Sequence, residues 1–379
     1  MSDTEYKYNS GGNPNKIPDL TYREFVEYYK KYYHPTNATF IIYGDIDNKK
    51  ILKKLDENFL SYFKKGEKAK TTKLQKKFLE PKRKNIKFLS SMPEKSSMLS
   101  LSFLMDKIDN SKNNMLLNIF SNILVEETSR LYKNIMDSNL VSDFSVYFFD
   151  GYKQGSMHFE FQGINYKNRK KIENIFFKSL QEMFEEGIEK NIIEKIINKY
   201  EEKIYRAKYN RGGLGLNISE KILPAIHNDF SFFDIFELTK KLKWLKEEFK
   251  KPKIFEKLIK NKLLINKSYL SLTLKADLKY DQYKILYDKL QKINSSQFLI
   301  KKAEKQIEKF QNYQNEKNFK ISKILPPKTT ELPKKIEDID IEKREKDNIQ
   351  YYFKKINDPI QQVNFYFNAN FLEKNEIQY

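Results

Sequence analysis

The sequence has no cysteine, only three histidines, and just 11 glycines and 11 prolines in 379 residues. Without thiols there is neither a disulfide framework nor a thiolate metal site, a composition that fits a reducing compartment. No run of apolar residues approaches the length needed to cross a bilayer. The opening Met1-Ser2-Asp3-Thr4-Glu5 lacks a basic start, an apolar core and a small-residue cleavage site. These absences predict a soluble chain, placed in the cytoplasm or an organellar matrix. No GxSxG occurs, so a serine nucleophile elbow is excluded. The glycine-rich stretch Arg211-Gly212-Gly213-Leu214-Gly215 has neither the spaced glycines of a dinucleotide fingerprint nor the Gly-Lys-Ser/Thr of a phosphate loop. It reads as a connection between helices.

What is abundant is lysine and aromatic carbon. Lys and Arg number 71 against 51 Asp and Glu, a formal charge of +20, and there are 29 Phe and 25 Tyr. So many aromatics exclude a disordered chain and leave enough apolar surface for a core. The charge raises a polyanion partner, and a basic nucleic-acid-binding protein is one alternative. Its best candidate arm, the lysine-crowded segment 64–87, lacks the regular aromatic interleaving of a stacking platform. A solvated linker is the simpler reading, because Lys, Asn, Ile, Phe and Tyr are enriched throughout, as an AT-rich coding bias would produce.

Periodicity then divides the chain. Thr21 and Glu24 have the spacing of a capping box, with Leu20 and Phe25 placed to staple across it. The helix that follows presents Phe25, Tyr28 or Tyr29, and Tyr32 on one face and should stop at Pro35. Ala38 to Tyr43 reads as a strand, and Asn48 to Phe63 as an amphipathic helix. Beyond the linker, Met98 to Met105 alternates as a strand and Met115 to Leu124 carries a helical ridge. Thr128 or Ser129 can cap a short helix through Met136. Phe144, Val146 and Phe148, then Met157, Phe159 and Phe161, are the inward positions of an antiparallel hairpin turning at Gly151 to Gly155. Two amphipathic helices follow, the first ending at Gly187. Leu216 to Ile226 and Phe232 to Phe249 are further helical stretches, and Ser268 to Lys275 is a strand. Asp281 to Phe319 reads as a long antiparallel helical hairpin, and Gln362 to Phe371 as a last strand. The fold class is α+β, an antiparallel sheet with packed helices followed by that hairpin.

The order SGGNP (Ser10 to Pro14), IPDLT (Ile17 to Thr21), YYHPTNA (Tyr32 to Ala38) and YGD (Tyr43 to Asp45) resembles the presequence-protease and falcilysin branch of the pitrilysin-type zinc metallopeptidases, peptidase family M16. The likeness continues through ETSRLYKNIMDSNLVSDFS (Glu127 to Ser145), HFEFQGI (His158 to Ile164), LPPK (Leu325 to Lys328) and NDPIQQVNFYF (Asn357 to Phe367). It implies an internal piece of such a protease. Residues 1–63 would be the end of a first domain, 64–87 a linker, and 88–278 a complete non-catalytic second domain. Residues 279–324 would be the helical arm, 325–345 a second linker, and 346–379 the start of a third domain. The implied role is a wall segment and inter-half hinge of a chamber that encloses unfolded peptides. The implied partners are the missing parts of the protease, or a separate chain bearing HxxEH that this one complements as an inactive subunit. No membrane is implied, and nucleic acid is disfavoured.

Zinc in that family is held by HxxEH, because two imidazoles must be brought onto one metal within a helical turn. Here His34, His158 and His227 are far apart and none lies in HxxEH or HExxH. His34, at a helix C-terminus, reads as structural. His158 and Glu160 point to one side of a strand and would make two metal ligands, but no third ligand can be nominated, and a polar sheet face is the simpler account. His227 falls at a helix end with no nucleophile beside it. The sequence therefore nominates no catalytic, cofactor-binding or metal residue, and no cofactor bound by this chain.

Overall fold

In a computed structural model, residues 1–69, 72–108, 111–209, 214–227, 237–281, 283–294, 297–321, 341–346 and 349–354 are described. The chain divides into two units, Met1–Ser295 and Ser296–Tyr379.

The centre of the first unit is a five-stranded sheet in the order β1-β5-β2-β4-β3. Its strands are β1 (Lys82–Leu89), β2 (Ser97–Lys107), β3 (Asp143–Phe149), β4 (Gln154–Ile164) and β5 (Tyr269–Asp277). The expected β3–β4 hairpin is present and antiparallel, pairing Phe144 with Phe161 and Phe148 with Met157. β2 is antiparallel to both β4 and β5. β1 departs from the expected all-antiparallel sheet and runs parallel to β5. It also takes the end of the segment read as a lysine-rich linker. Its sequence KRKNIKFL is almost wholly exposed, which is how an edge strand protects itself from further pairing, so lysine content alone cannot separate it from a linker. The preceding stretch is not merely solvated either. Buried Gln75 donates its amide to Gln154 Oε1 at 2.5 Å and accepts from the Asp3 amide at 3.0 Å, while the Phe78 amide donates to Ser268 Oγ at 2.8 Å.

The helices collect on one face. These are α3 (Ser111–Val125), α4 (Arg130–Asp137), α5 (Arg169–Glu186), α6 (Lys190–Tyr209), α8 (Leu238–Phe249) and α9 (Ile254–Leu258), which continues as a π-helical turn over Ile259–Leu264, while α7 (Leu214–His227) approaches Tyr43 at Gly215. Against them lie Leu99, Leu101 and Phe103 of β2 and Phe159 and Phe161 of β4, all with no exposed surface. Phe176 of α5 keys into this layer, 4.7 Å from the Phe159 ring centroid, while Phe103 meets Phe159 edge-on at 5.7 Å. Each such ring contributes about 1.5–3 kcal/mol through burial. Ser129 is the cap of α4: its Oγ accepts from the Tyr132 amide at 3.1 Å and donates to the Leu124 carbonyl at 2.9 Å, tying the end of α3 to the start of α4. Gly187 ends α5 with φ +89°, a backbone that favours glycine.

The N-terminal segment holds α1 (Tyr22–Tyr32) and α2 (Asn48–Asn58). The Thr21–Glu24 capping box forms as expected, but no residue of α1 is buried, and Leu20 and Phe25 are both about 60% exposed. Ala38 to Tyr43 is not a strand. A strand needs a neighbouring backbone, and none of the described residues pairs with this one, so Phe40, Ile42 and Tyr43 stay exposed. α2 is shorter than expected and is followed by a 3-10 turn over Leu60–Tyr62. α10 (Lys284–Asn294) closes the first unit, with Lys289 Nζ on Asp19 Oδ1 at 2.5 Å.

The second unit contributes α11 (Gln297–Ile321) and an antiparallel hairpin of β6 (Ile341–Lys346) and β7 (Ile349–Lys354). β6 begins within the segment expected as the second linker. The strand expected at Gln362 to Phe371 and the break at Arg211 to Gly213 lie outside the described residues.

Candidate functional site

The opposite face of the sheet carries no helix of the core cluster, and its side chains can be read off the strand register. One cross-strand row runs Tyr147, His158, Ser102, Leu270, Lys82; the next runs Ser145, Glu160, Ser100, Leu272, Lys84. Small serines occupy its middle, leucines of β5 one flank and aromatics of β3 the other. Alternation produces this directly: in Leu99-Ser100-Leu101-Ser102-Phe103 the apolar positions feed the core and the serines the open side.

His158 organises the face. Its Nδ1 lies 2.9 Å from Ser102 Oγ and its Nε2 2.8 Å from Ser156 Oγ, so both ring nitrogens are engaged. A neutral imidazole has one donor and one acceptor nitrogen, so one serine donates to the ring and the other accepts. Burial pushes the imidazole down to about 4, which keeps it neutral near neutral pH. Tyr147 stacks on it, ring centroids 4.8 Å apart and planes 16° from parallel. The Tyr147 hydroxyl donates to Glu160 Oε1 at 2.9 Å. Burial first, and this carboxylate second, push that phenol up to about 12. Ser100 and Ser102 meet at 3.3 Å.

This is not hydrolase chemistry. A Ser–His pair acts as nucleophile and base when a carboxylate orients the far nitrogen and amide donors await the oxyanion. Here the far nitrogen meets another serine, burial lowers the basicity of the ring, and the surrounding strand amides are engaged in the ladder. Nor do the residues fit zinc. His158 and Glu160 do share a face, as expected, but both are turned to other partners. His34 spends Nδ1 accepting from the Thr36 amide at 3.2 Å. It caps the turn Pro35–Asn37 rather than bonding a helix carbonyl, and is packed so closely on Gly66 that an added Cβ would sit 2.8 Å from its ring. His227 is the last residue of α7. Among the described residues no three His, Cys, Asp or Glu side chains are grouped to hold a metal ion. What the open face offers is a shallow, mixed polar and apolar surface suited to contact rather than bond making. Its serine, histidine and tyrosine network was not foreseen from sequence, although the alternation in β2 and β4 contained it.

Residues 19–200 match the family described as the peptidase M16 inactive domain. The match spans just under half of the chain. The chain is similar to the mitochondrial presequence protease of Xenopus laevis, 28% identical over 285 residues, covering 73% of this chain and 28% of that protein. It is also similar to the protein HypA of Clostridium perfringens, 28% identical over 395 residues, covering 100% of this chain and 40% of that protein. The chain thus spans less than half the length of these relatives. Among solved structures it resembles a protease from Helicobacter pylori (TM-score 0.54, 15% identity, 70% of this chain and 61% of that one). It also resembles a peptidase M16 inactive domain from Pseudomonas fluorescens (TM-score 0.54, 14% identity, 73% and 62%). These two share the α+β architecture of this chain. No helix among the described residues is long and apolar enough to cross a membrane.

Proposed function

We propose that this chain is the non-catalytic middle segment of a presequence-protease-type zinc metalloendopeptidase that degrades unfolded peptides, and that its open sheet face is part of the wall enclosing them. The observation that carries this reading is the one-sidedness of the sheet: helices seal one face, while the other keeps a half-buried polar floor whose only histidine is already committed to two serines. A face built this way can touch an extended chain without cutting it. Zinc belongs to another part of the protease, and α10 and α11 would serve the hinge between its halves. The second domain would begin at β1 and end with β5, with residues 1–63 as the end of the first domain and β6 and β7 leading into the third.

The exposed aromatics of α1 and the unpaired segment Ala38 to Tyr43 favour a covering surface supplied by the rest of the protease. Whether that surface comes from the same polypeptide or from a separate HxxEH-bearing chain, the geometry required is the same. Co-expression with such a chain tests the reading: a stable complex that cleaves an unfolded peptide supports it, and failure to form a complex counts against the inactive-subunit form.

A further inference from the structure

We propose that Tyr147 and Glu160 form a cation subsite on the open face, which takes the ammonium or guanidinium group of a lysine or arginine in an extended peptide. This rests on the wall reading above and adds to it a preference at one place.

Glu160 is half-buried in mid-sheet, and its neighbours in the cross-strand row, Ser145 and Ser100, are too short to cover it. One carboxylate oxygen accepts from Tyr147. Among the described residues no Lys or Arg pairs with it, although the chain carries a net charge of +20. Several other shielded carboxylates do have a cation: Glu126 has Lys195 and Lys199, Glu173 has Arg83, Glu182 has Arg130, and Asp277 has Lys87, whereas Asp150 is met by the Asn118 side chain. A half-desolvated carboxylate without a counterion is costly, and a ligand cation relieves that cost. The adjacent imidazole does not provide the charge, since both its nitrogens are held by serine oxygens at hydrogen-bond distance. Tyr147 adds a second attraction. One face of its ring is stacked on His158, and Tyr147 as a residue is 40% exposed, on an edge strand. A cation seated on Glu160 gains from the Tyr147 ring by reaching over the face that His158 does not cover.

The test uses the full chain and a short fluorescein-labelled unfolded peptide with one central arginine, compared with the same peptide carrying neutral citrulline. Anisotropy titration should show the arginine peptide bound about five- to tenfold tighter, the size of a partly exposed charge pair plus a cation–π contact. Glu160→Gln should abolish that preference, so that the arginine and citrulline peptides bind equally. Tyr147→Phe should keep it and Tyr147→Ala should reduce it. If Glu160→Gln does not fold, Ser145→Lys, which plants a cation opposite Glu160, should erase the preference instead. A preference that survives these changes overturns the subsite. Equal binding of both peptides by the unaltered chain overturns the subsite and leaves the wall standing. Binding of neither peptide overturns both.

Discussion

Tyr147 and His158 lie face to face across the β3–β4 pair at 4.8 Å, and the histidine is held neutral by burial rather than by any nearby cation. Burial takes it from the usual 6.5 of a histidine down to about 4 in the folded chain. Protons therefore bind more readily to the unfolded chain, and the contribution is complete above about pH 6.5 and lost as pH falls towards 4. The loss reaches up to about 3 kcal/mol. Denaturant midpoints measured from pH 7.5 to 4.5 should fall more steeply for the unaltered chain than for His158→Asn. A difference between the two that does not vary with pH would contradict this.

Glu126 is buried beside the ammonium groups of Lys195 and Lys199 on α6. Burial alone would raise its carboxyl, but the two lysines outweigh it and hold the group below the usual range. Because either lysine can neutralise it, Lys195→Met or Lys199→Met alone should cost about 1 kcal/mol. The double substitution should cost about 3–5 kcal/mol, more than the sum, since only then is a buried charge left unpaired. A double-mutant cycle by urea denaturation checks this, and simple additivity would refute it.

Gly163, near the end of β4, has φ +65°, and a Cβ there would meet Ser142 Oγ at 2.0 Å. Gly163→Ala should destabilise the protein by about 2–4 kcal/mol. Adding Ser142→Gly should recover the clash but not the backbone strain. Full recovery in a thermal melt would show that the strain assignment is mistaken.

Much of the core was legible because alternation and helical stripes report burial directly: Phe103, Phe159, Phe161 and Phe176 all occupy the interior. The Ser129 cap and the Gly187 stop were equally local signals. What escaped was long-range. Nothing within Lys82 to Leu89 announces a parallel partner nearly two hundred positions later, and an edge strand rich in lysine looks like a linker. Ala38 to Tyr43 failed the other way, since strong strand propensity does not create a neighbour. At the candidate site, the common side of His158 and Glu160 was readable from their spacing. Their commitment to Ser102, Ser156 and Tyr147 depends on the register of three strands, which no local pattern specifies.

Tyr22, Phe25 and Tyr29 of α1 and Tyr43 are more than half exposed, and Phe40 is close to half. Large exposed apolar side chains of this kind favour association where they adjoin. The isolated chain should therefore self-associate with rising concentration. Phe25→Lys with Tyr29→Lys should suppress light scattering without lowering the melting temperature. Unchanged association would remove this face as its cause.

The central claim is that this polypeptide provides a surface and not a metal centre. The direct measurement is cleavage of a quenched unfolded peptide by the purified chain with added zinc. The substrate should remain intact with and without metal. Zinc-dependent cleavage by this chain alone, abolished by a chelator and restored by zinc, would contradict the account.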